Sequence, residues 1–230
     1  MDNRKDQCKI TIIKDGPYMV SGNVPLYEKI ISPAGDGTYE YREGRKLPQA
    51  EEYSLCRCGY SKPPPFCDGS HKEYKFNGTE TASNQPYIDR VEARVKGPII
   101  DLLDDGRCSY ARLCHRKYGD MWYLAKSYVP EDSDDVIAGA RECPSGRLVV
   151  KDKDGNTLEE DFQPAIEILQ DPEEAVSGPI FVKGNIPVES SNGNIYPLQN
   201  RLTLCRCGKS SNKPFCDGMH VPTKFVDGMN

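Results

Sequence analysis

Short apolar stretches alternate with turn residues along most of the chain. Ile10-Thr11-Ile12-Ile13 predicts an early strand, and Leu202-Thr203-Leu204 a late one entered from a hairpin turn at Ser191-Asn192-Gly193-Asn194. Val20 and Val24, like Val182 and Ile186, are β-branched and punctuated by Gly and Pro, which predicts short strands joined by turns. In the middle of the chain, Val91-Glu92-Ala93-Arg94-Val95 and Leu148-Val149-Val150 read as strands, and Lys153-Asp154-Gly155-Asn156 as a turn. Ser133 is placed to cap a helix whose apolar positions Val136, Ile137 and Ala140 fall on one face. The acidic run Glu131 to Asp135 then needs no ligand role, because a helix N-terminus favours negative charge.

The pattern occurs twice. Gly16-Pro17-Tyr18-Met19-Val20-Ser21-Gly22-Asn23-Val24-Pro25-Leu26 matches Gly178-Pro179-Ile180-Phe181-Val182-Lys183-Gly184-Asn185-Ile186-Pro187-Val188. Leu55-Cys56-Arg57-Cys58-Gly59 matches Leu204-Cys205-Arg206-Cys207-Gly208, and Pro65-Phe66-Cys67-Asp68-Gly69-Ser70-His71 matches Pro214-Phe215-Cys216-Asp217-Gly218-Met219-His220. The first copy has a longer connection, residues 27–52, which a surface loop can absorb at little cost. Three units follow: residues 1–78, a different segment at 79–176, and residues 177–230.

Composition narrows the class. With 30 Lys+Arg against 35 Asp+Glu and a net charge of −5, no basic surface for nucleic acid or anionic membrane is expected. No apolar run approaches the ~18–20 residues of a membrane span. Met1-Asp2-Asn3-Arg4-Lys5-Asp6 is polar and leads into no apolar segment, so a secretory signal is not expected and a cytoplasmic location is. A hydrophobic fraction of 37% with 20 Gly and 18 Pro predicts turn-rich units with modest cores. Ten cysteines in a cytosolic chain are read for metal before disulfide.

Each copy carries Cys-x-Cys, eight residues, Cys, three residues, His: Cys56, Cys58, Cys67 and His71, then Cys205, Cys207, Cys216 and His220. Four such ligands within about sixteen residues can close on one metal centre. Cys-x3-His is one helical turn, which puts both side chains on one face. Asp68 and Asp217 are suited to bond loop amides, and Gly69 and Gly218 to let backbone approach the centre. A structural zinc ion is one reading, since Cys3His is a zinc set. Against it, a Cys-x-Cys bite is tight for one tetrahedral ion, whereas a two-iron cluster takes two cysteines on one iron and Cys plus His on the other.

Both stretches resemble the CDGSH iron–sulfur motif, Cys-x-Cys-x2-Ser/Thr-x3-Pro-x-Cys-Asp-Gly-Ser/Ala/Thr-His. Copy one fills every position, with Ser61, Pro65 and Ser70; copy two has Ser210 and Pro214 but Met219 at the small-residue position. The resemblance implies a 2Fe–2S cluster held by three Cys and one His in each copy. It also implies that two such units pair about a two-fold axis with a strand-built cap, which a tandem chain can do internally as a monomeric pseudo-dimer.

In the middle segment, Cys108-Ser109-Tyr110-Ala111-Arg112-Leu113-Cys114 lies on the bacterial ferredoxin run Cys-x2-Cys-x2-Cys with Ala111 at the central cysteine, and Cys143-Pro144 supplies the later Cys-Pro. The segment thus resembles a divergent single-cluster ferredoxin domain. Cys108, Cys114 and Cys143 suit a 3Fe–4S cluster, or a 4Fe–4S cluster with a further ligand; the alternative is three buried thiols and no cluster. His115 beside Cys114 reads as an exposed neighbour rather than a fourth ligand, Cys8 as a strand-end thiol, and Trp122 and Tyr123 as core.

The expected fold is therefore α+β: two small β-rich modules forming an internal pseudo-dimer, with an α+β ferredoxin-like insert. All three histidines lie in or beside cysteine motifs, and no Walker loop, dinucleotide fingerprint or Ser–His–Asp pattern is present, so no catalytic set is expected. The expected role is electron transfer, cluster transfer or redox and iron sensing with protein partners. The alternatives are a metal-stapled interaction scaffold, with zinc or cluster, and a non-catalytic subunit of an oxidoreductase.

Overall fold

The computed structural model describes residues 8–228, so the reading of Met1 to Asp6 lies outside the described residues. The chain forms β1 (Lys9–Ile12), β2 (Tyr18–Ser21), β3 (Leu26–Pro33), β4 (Tyr39–Lys46) and β5 (Glu52–Leu55), then α1 (Ser70–Glu73). The middle segment runs through α2 (Tyr87–Arg90), β6 (Ala93–Lys96), β7 (Asp101–Asp104), β8 (His115–Arg116), β9 (Gly119–Asp120), α3 (Met121–Leu124), α4 (Pro130–Glu142) and β10 (Leu148–Lys151). β11 (Ala165–Asp171), β12 (Val176–Lys183), β13 (Val188–Glu189) and β14 (Arg201–Leu204) complete the chain. The result is a mixed α+β chain, mostly sheet with few helices. Among the described residues no helix is long and apolar enough to cross a membrane.

Two sheets carry the repeats, ordered β13-β1-β2-β5 and β14-β12-β11-β3-β4. Their registers correspond: Ile10 opposes Val20 across β1/β2, and Ile166 opposes Val182 across β11/β12. Each sheet also takes a strand from the other copy. β13 runs parallel to β1 with Ile10 opposite Val188, and β3 runs parallel to β11 with Ile166 opposite Leu26. Alternation explains the pairing, because Ile10, Ile12, Val20 and Leu26 of one copy and Ile166, Val182 and Val188 of the other all bury one face in a single core. Each such side chain removed from water contributes about 1.5–3 kcal/mol. Tyr18 of copy one fastens the halves, its hydroxyl donating to the carbonyls of Cys205 (2.9 Å) and Pro214 (3.0 Å).

The connection at residues 27–52 is not a loop. Most of it is the β3–β4 hairpin, which gives its sheet an outer strand and packs Ile31, Tyr39 and Tyr41 against Phe181, Leu113 and Leu169. Burial of the alternating Tyr39 and Tyr41 holds the insertion as strand. β11 lies before the boundary at residue 176, yet its hydrogen bonds run to β12 and β3 of the repeat framework.

In the middle segment an antiparallel sheet, β10-β7-β6, packs α3 and α4 over Leu102, Leu148 and Val150. The expected helix forms but starts earlier, with Val129 as N-cap and Pro130 in its first turn, where a missing N–H costs nothing. Ser133 is therefore inside the helix, buried, with no partner for its hydroxyl among the described atoms. Glu131 and Asp132 occupy the first turn, as the dipole favours. Trp122 packs against the core and donates to Asp104 (3.1 Å), but Tyr123 is 68% exposed and does not belong to the core.

Arg201, in β14 just before Cys205, crosses into this segment. Its guanidinium donates to the carbonyls of Ala140 and Cys143 at the end of α4 and to Leu148 (3.2 Å), and it pairs with Glu159. A cation there satisfies carbonyls that a helix C-terminus leaves unpaired.

Candidate metal centres

β5 and β14 each run straight into a Cys-x-Cys pair, and the loop that follows is tied back to the same strand. Cys56 N–H donates to the Pro65 carbonyl (2.7 Å) and Cys67 N–H to the Ser54 carbonyl (2.9 Å). In copy two, Cys205 bonds Pro214 (2.8 Å) and Cys216 bonds Thr203 (2.9 Å) in the same way. These bonds return the third cysteine to the side of the first. The aspartates act as expected: Asp68 accepts from the amides of Lys62 (2.7 Å) and Ser70 (2.9 Å), and Asp217 from Ser211 (2.7 Å) and Met219 (3.2 Å). Those amides hold the Asp68 carboxyl well below the usual carboxylate range.

The four side chains of each copy come together as two pairs. Cys56 and Cys58 Sγ are 3.7 Å apart, and Cys67 Sγ is 3.4 Å from His71 Nδ1. Cys205 and Cys207 are also 3.7 Å apart, and Cys216 is 3.6 Å from His220 Nδ1. On one tetrahedral metal, two thiolates at about 2.3 Å lie about 3.8 Å apart, and a thiolate and an imidazole nitrogen about 3.5 Å apart. Each pair thus has the spacing of two ligands on one ion. Among the described residues no three Cys, His, Asp or Glu side chains converge to hold a single ion. That arrangement fits a two-metal cluster better than one ion taking four ligands.

Helical spacing was not the device. His71 lies in the single turn of α1 but Cys67 precedes it, and the equivalent stretch of copy two is a series of turns. Gly69 also departs from expectation, since a β-carbon there would meet open space, whereas one on Gly218 would strike the Tyr110 ring.

The two Cys-x-Cys-Gly turns pack back to back. A β-carbon on Gly59 would lie 2.7 Å from the Cys207 carbonyl oxygen, and one on Gly208 would lie 2.6 Å from that of Cys58. Between the cysteines sit Arg57 and Arg206, 2% and 1% exposed. Arg57 donates to the carbonyls of Ile13 (3.3 Å) and Gly78, while Arg206 pairs with Asp227 and donates to the Gly178 carbonyl (2.9 Å). Sequence reading passed over both arginines, although Cys-Arg-Cys stands in each copy.

Burial differs between the copies. Cys67 and His71 are partly exposed, but Cys216 and His220 are only 3% and 4% exposed. Hydrogen bonding within each thiol pair lowers Cys56 and Cys205 and raises Cys58 and Cys207. Burial raises Cys216 and, with the charge of Arg206, pushes His220 down from 6.5 to about 4. In the metal-free protein the folded state therefore resists a proton that the unfolded state accepts. Stability should fall as pH drops from about 6.5 to about 4, and His220→Gln should flatten that slope. Urea midpoints across this range check it; equal slopes in the two proteins count against it.

Cys108, Cys114 and Cys143 all line one cavity of about 20 Å³. Burial pushes Cys114 up to about 11, with Cys143 and Cys108 adding to the rise. The donors suit a three-cysteine cluster, but the space suits about one water molecule. His115 is exposed on β8 and does not line the cavity. Cys8 is buried just before β1, its thiol 3.6 Å from the Gly22 carbonyl.

The two Cys/His loops are set in a common β framework. Residues 15–72 and 177–221 each match the family model described as iron-binding zinc finger, CDGSH type. The chain thus carries two copies of that CDGSH-type iron-binding domain. No curated protein and no solved structure matches it.

Proposed function

We propose that Cys56, Cys58, Cys67 and His71 hold one 2Fe–2S cluster and that Cys205, Cys207, Cys216 and His220 hold a second. The observation that carries this is the pairing, in which Cys–Cys and Cys–His separations each match two ligands on one metal, in both copies. When bound, such a cluster supplies a one-electron couple. The protein holds it by thiolate and imidazole, excludes water through buried Cys-x-Cys turns, and sets the buried positive charges of Arg57 and Arg206 within those turns. The chain then acts in electron transfer, cluster transfer or redox sensing with a protein partner in the cytoplasm, and converts no substrate itself. The exchange of β3 and β13 and the reciprocal Gly59 and Gly208 contacts support an internal pseudo-dimer. The three-stranded sheet and α4 support reading the insert as a divergent ferredoxin-like unit.

Metal content and a visible spectrum test the reading. Two clusters give four irons per chain and a red-brown protein, and Cys67→Ser or Cys216→Ser should each leave two irons. Colourless protein with bound zinc instead establishes the scaffold alternative. A third centre at Cys108, Cys114 and Cys143 is a separate question: a 3Fe–4S cluster there brings the count to seven, and Cys143→Ala then removes three. An iron count unchanged by Cys143→Ala excludes it.

A further inference from the structure

The two repeats are alike in sequence, but the middle segment treats them differently. Its Cys108–Cys114 loop lies against copy two, where the Tyr110 ring covers Gly218, between Cys216 and His220, and the Cys108 carbonyl oxygen would be 3.4 Å from a β-carbon on Gly218. Arg107 adds to this cover, its guanidinium 5.1 Å from the centre of the Phe215 ring next to Cys216. A groove of about 630 Å³ between the segment and copy two, lined by Asp89, Arg90, Glu92 and Arg107, reaches Tyr110 and Cys216. Cys216 nevertheless stays 3% exposed. At the matching place in copy one nothing lies within 4 Å of a β-carbon on Gly69, and Cys67 and His71 are partly exposed.

The cover is held in place. Tyr110 and Arg112 both have left-handed backbones (φ 58 and 63), which non-glycine residues keep only when surrounding contacts enforce them. Arg112 supplies those contacts, with a two-pronged bond to Asp171 (2.7 and 2.9 Å), a third to Glu173 (3.1 Å) and the Tyr39 ring 4.3 Å away. Asp171 ends β11, so the loop is anchored to the copy-two sheet.

We propose that the two centres divide the work: copy one is the exchange site, where iron and sulfide enter and leave, and copy two is a retained centre sealed by Tyr110. This rests on the two-cluster reading above. Exchange is a ligand substitution with no electron transferred. With a cluster bound, Cys67 as thiolate or His71 as neutral imidazole would be the ligand that an incoming donor displaces, and sulfide would leave as hydrosulfide, with water supplying the proton and remaining as hydroxide. An incoming donor can reach the open Cys67/His71 edge directly. At copy two it must first displace the tyrosine.

Iron release to EDTA from the loaded protein, followed by absorbance, tests the proposal. Two phases are expected, with copy one faster by about tenfold or more, a factor equivalent to ~1.4 kcal/mol of cap opening. Cys216→Ser should leave only the fast phase and Cys67→Ser only the slow one. Tyr110→Gly should bring the slow phase up toward the fast one without changing the fast one, and Tyr110→Phe should retain it. In the unmutated protein, a soluble paramagnetic relaxant should act more strongly on the electron paramagnetic resonance signal of reduced copy one. Equal release rates, equal relaxant effects, or a Tyr110→Gly protein that keeps its slow phase overturn the division. Fewer than four irons in the untreated protein overturns the two-cluster reading, and the division with it.

Discussion

Gly59→Ala is expected to deplete iron from both copies, not only from its own. The new β-carbon would stand 2.7 Å from the Cys207 carbonyl oxygen, and backbone cannot rotate aside as a side chain can. Gly59 also has φ +84, a conformation that costs a residue with a β-carbon roughly 1–2 kcal/mol. Overpacking adds about 1–3 kcal/mol, for a total of about 2–5. Gly208→Ala should behave alike against the Cys58 carbonyl. Gly69→Ala is the control, with φ +92 but open space around it, so it should show the conformational cost alone. Thermal melts and iron counts on the three proteins decide the matter. A Gly59→Ala protein that melts with Gly69→Ala and keeps both clusters would falsify the back-to-back contact.

Asp227→Asn should destabilise the chain by about 3–5 kcal/mol, because it strands a buried cation. Arg206 is 1% exposed and Asp227 is its carboxylate partner, while burial already pushes the guanidinium down to about 10. Without that charge Arg206 keeps the Gly178 and Leu169 carbonyls and the Phe225 ring, and the one oxygen left on the new amide cannot accept from both Arg206 and Ser177 as the carboxylate does. Glu43→Gln offers the contrast. Its pair with Lys29 involves a carboxylate side chain 76% exposed, so the change should move stability by less than about 1 kcal/mol. Denaturant titration of both variants measures the difference; similar small losses in the two would mean that the Arg206 pair is not worth its burial.

What the sequence made legible was whatever chemistry lies within a short span. The Cys/His sets, the aspartates that bond loop amides and the turn at 191–194 depend on neighbours a few residues away, and the aspartates and the turn are found where expected. The helix was legible but its start was not, because Pro130 fixes the first turn without a side-chain cap and displaces Ser133 to an inner position. Residues 27–52 looked like a loop because the contacts of Tyr39 and Tyr41 with Phe181 and Leu113 come from distant stretches of chain. The same holds for Tyr110, whose meaning depends on lying over Gly218. Two similar repeats also offer each strand two chemically equivalent partners, so a hydrophobic pattern cannot tell pairing within a copy from exchange between copies.

The parallel pairing of Ile10 with Val188 sets a timetable for synthesis. A ribosome adding about 5–20 residues per second needs on the order of ten to forty seconds to travel from one to the other. During that interval β1 has an unpaired edge, Leu26 waits for Ile166, and the shared core is half built. The first Cys/His loop emerges early yet rests against Gly208, which is made near the end. The nascent amino-terminal half thus cannot complete its own framework.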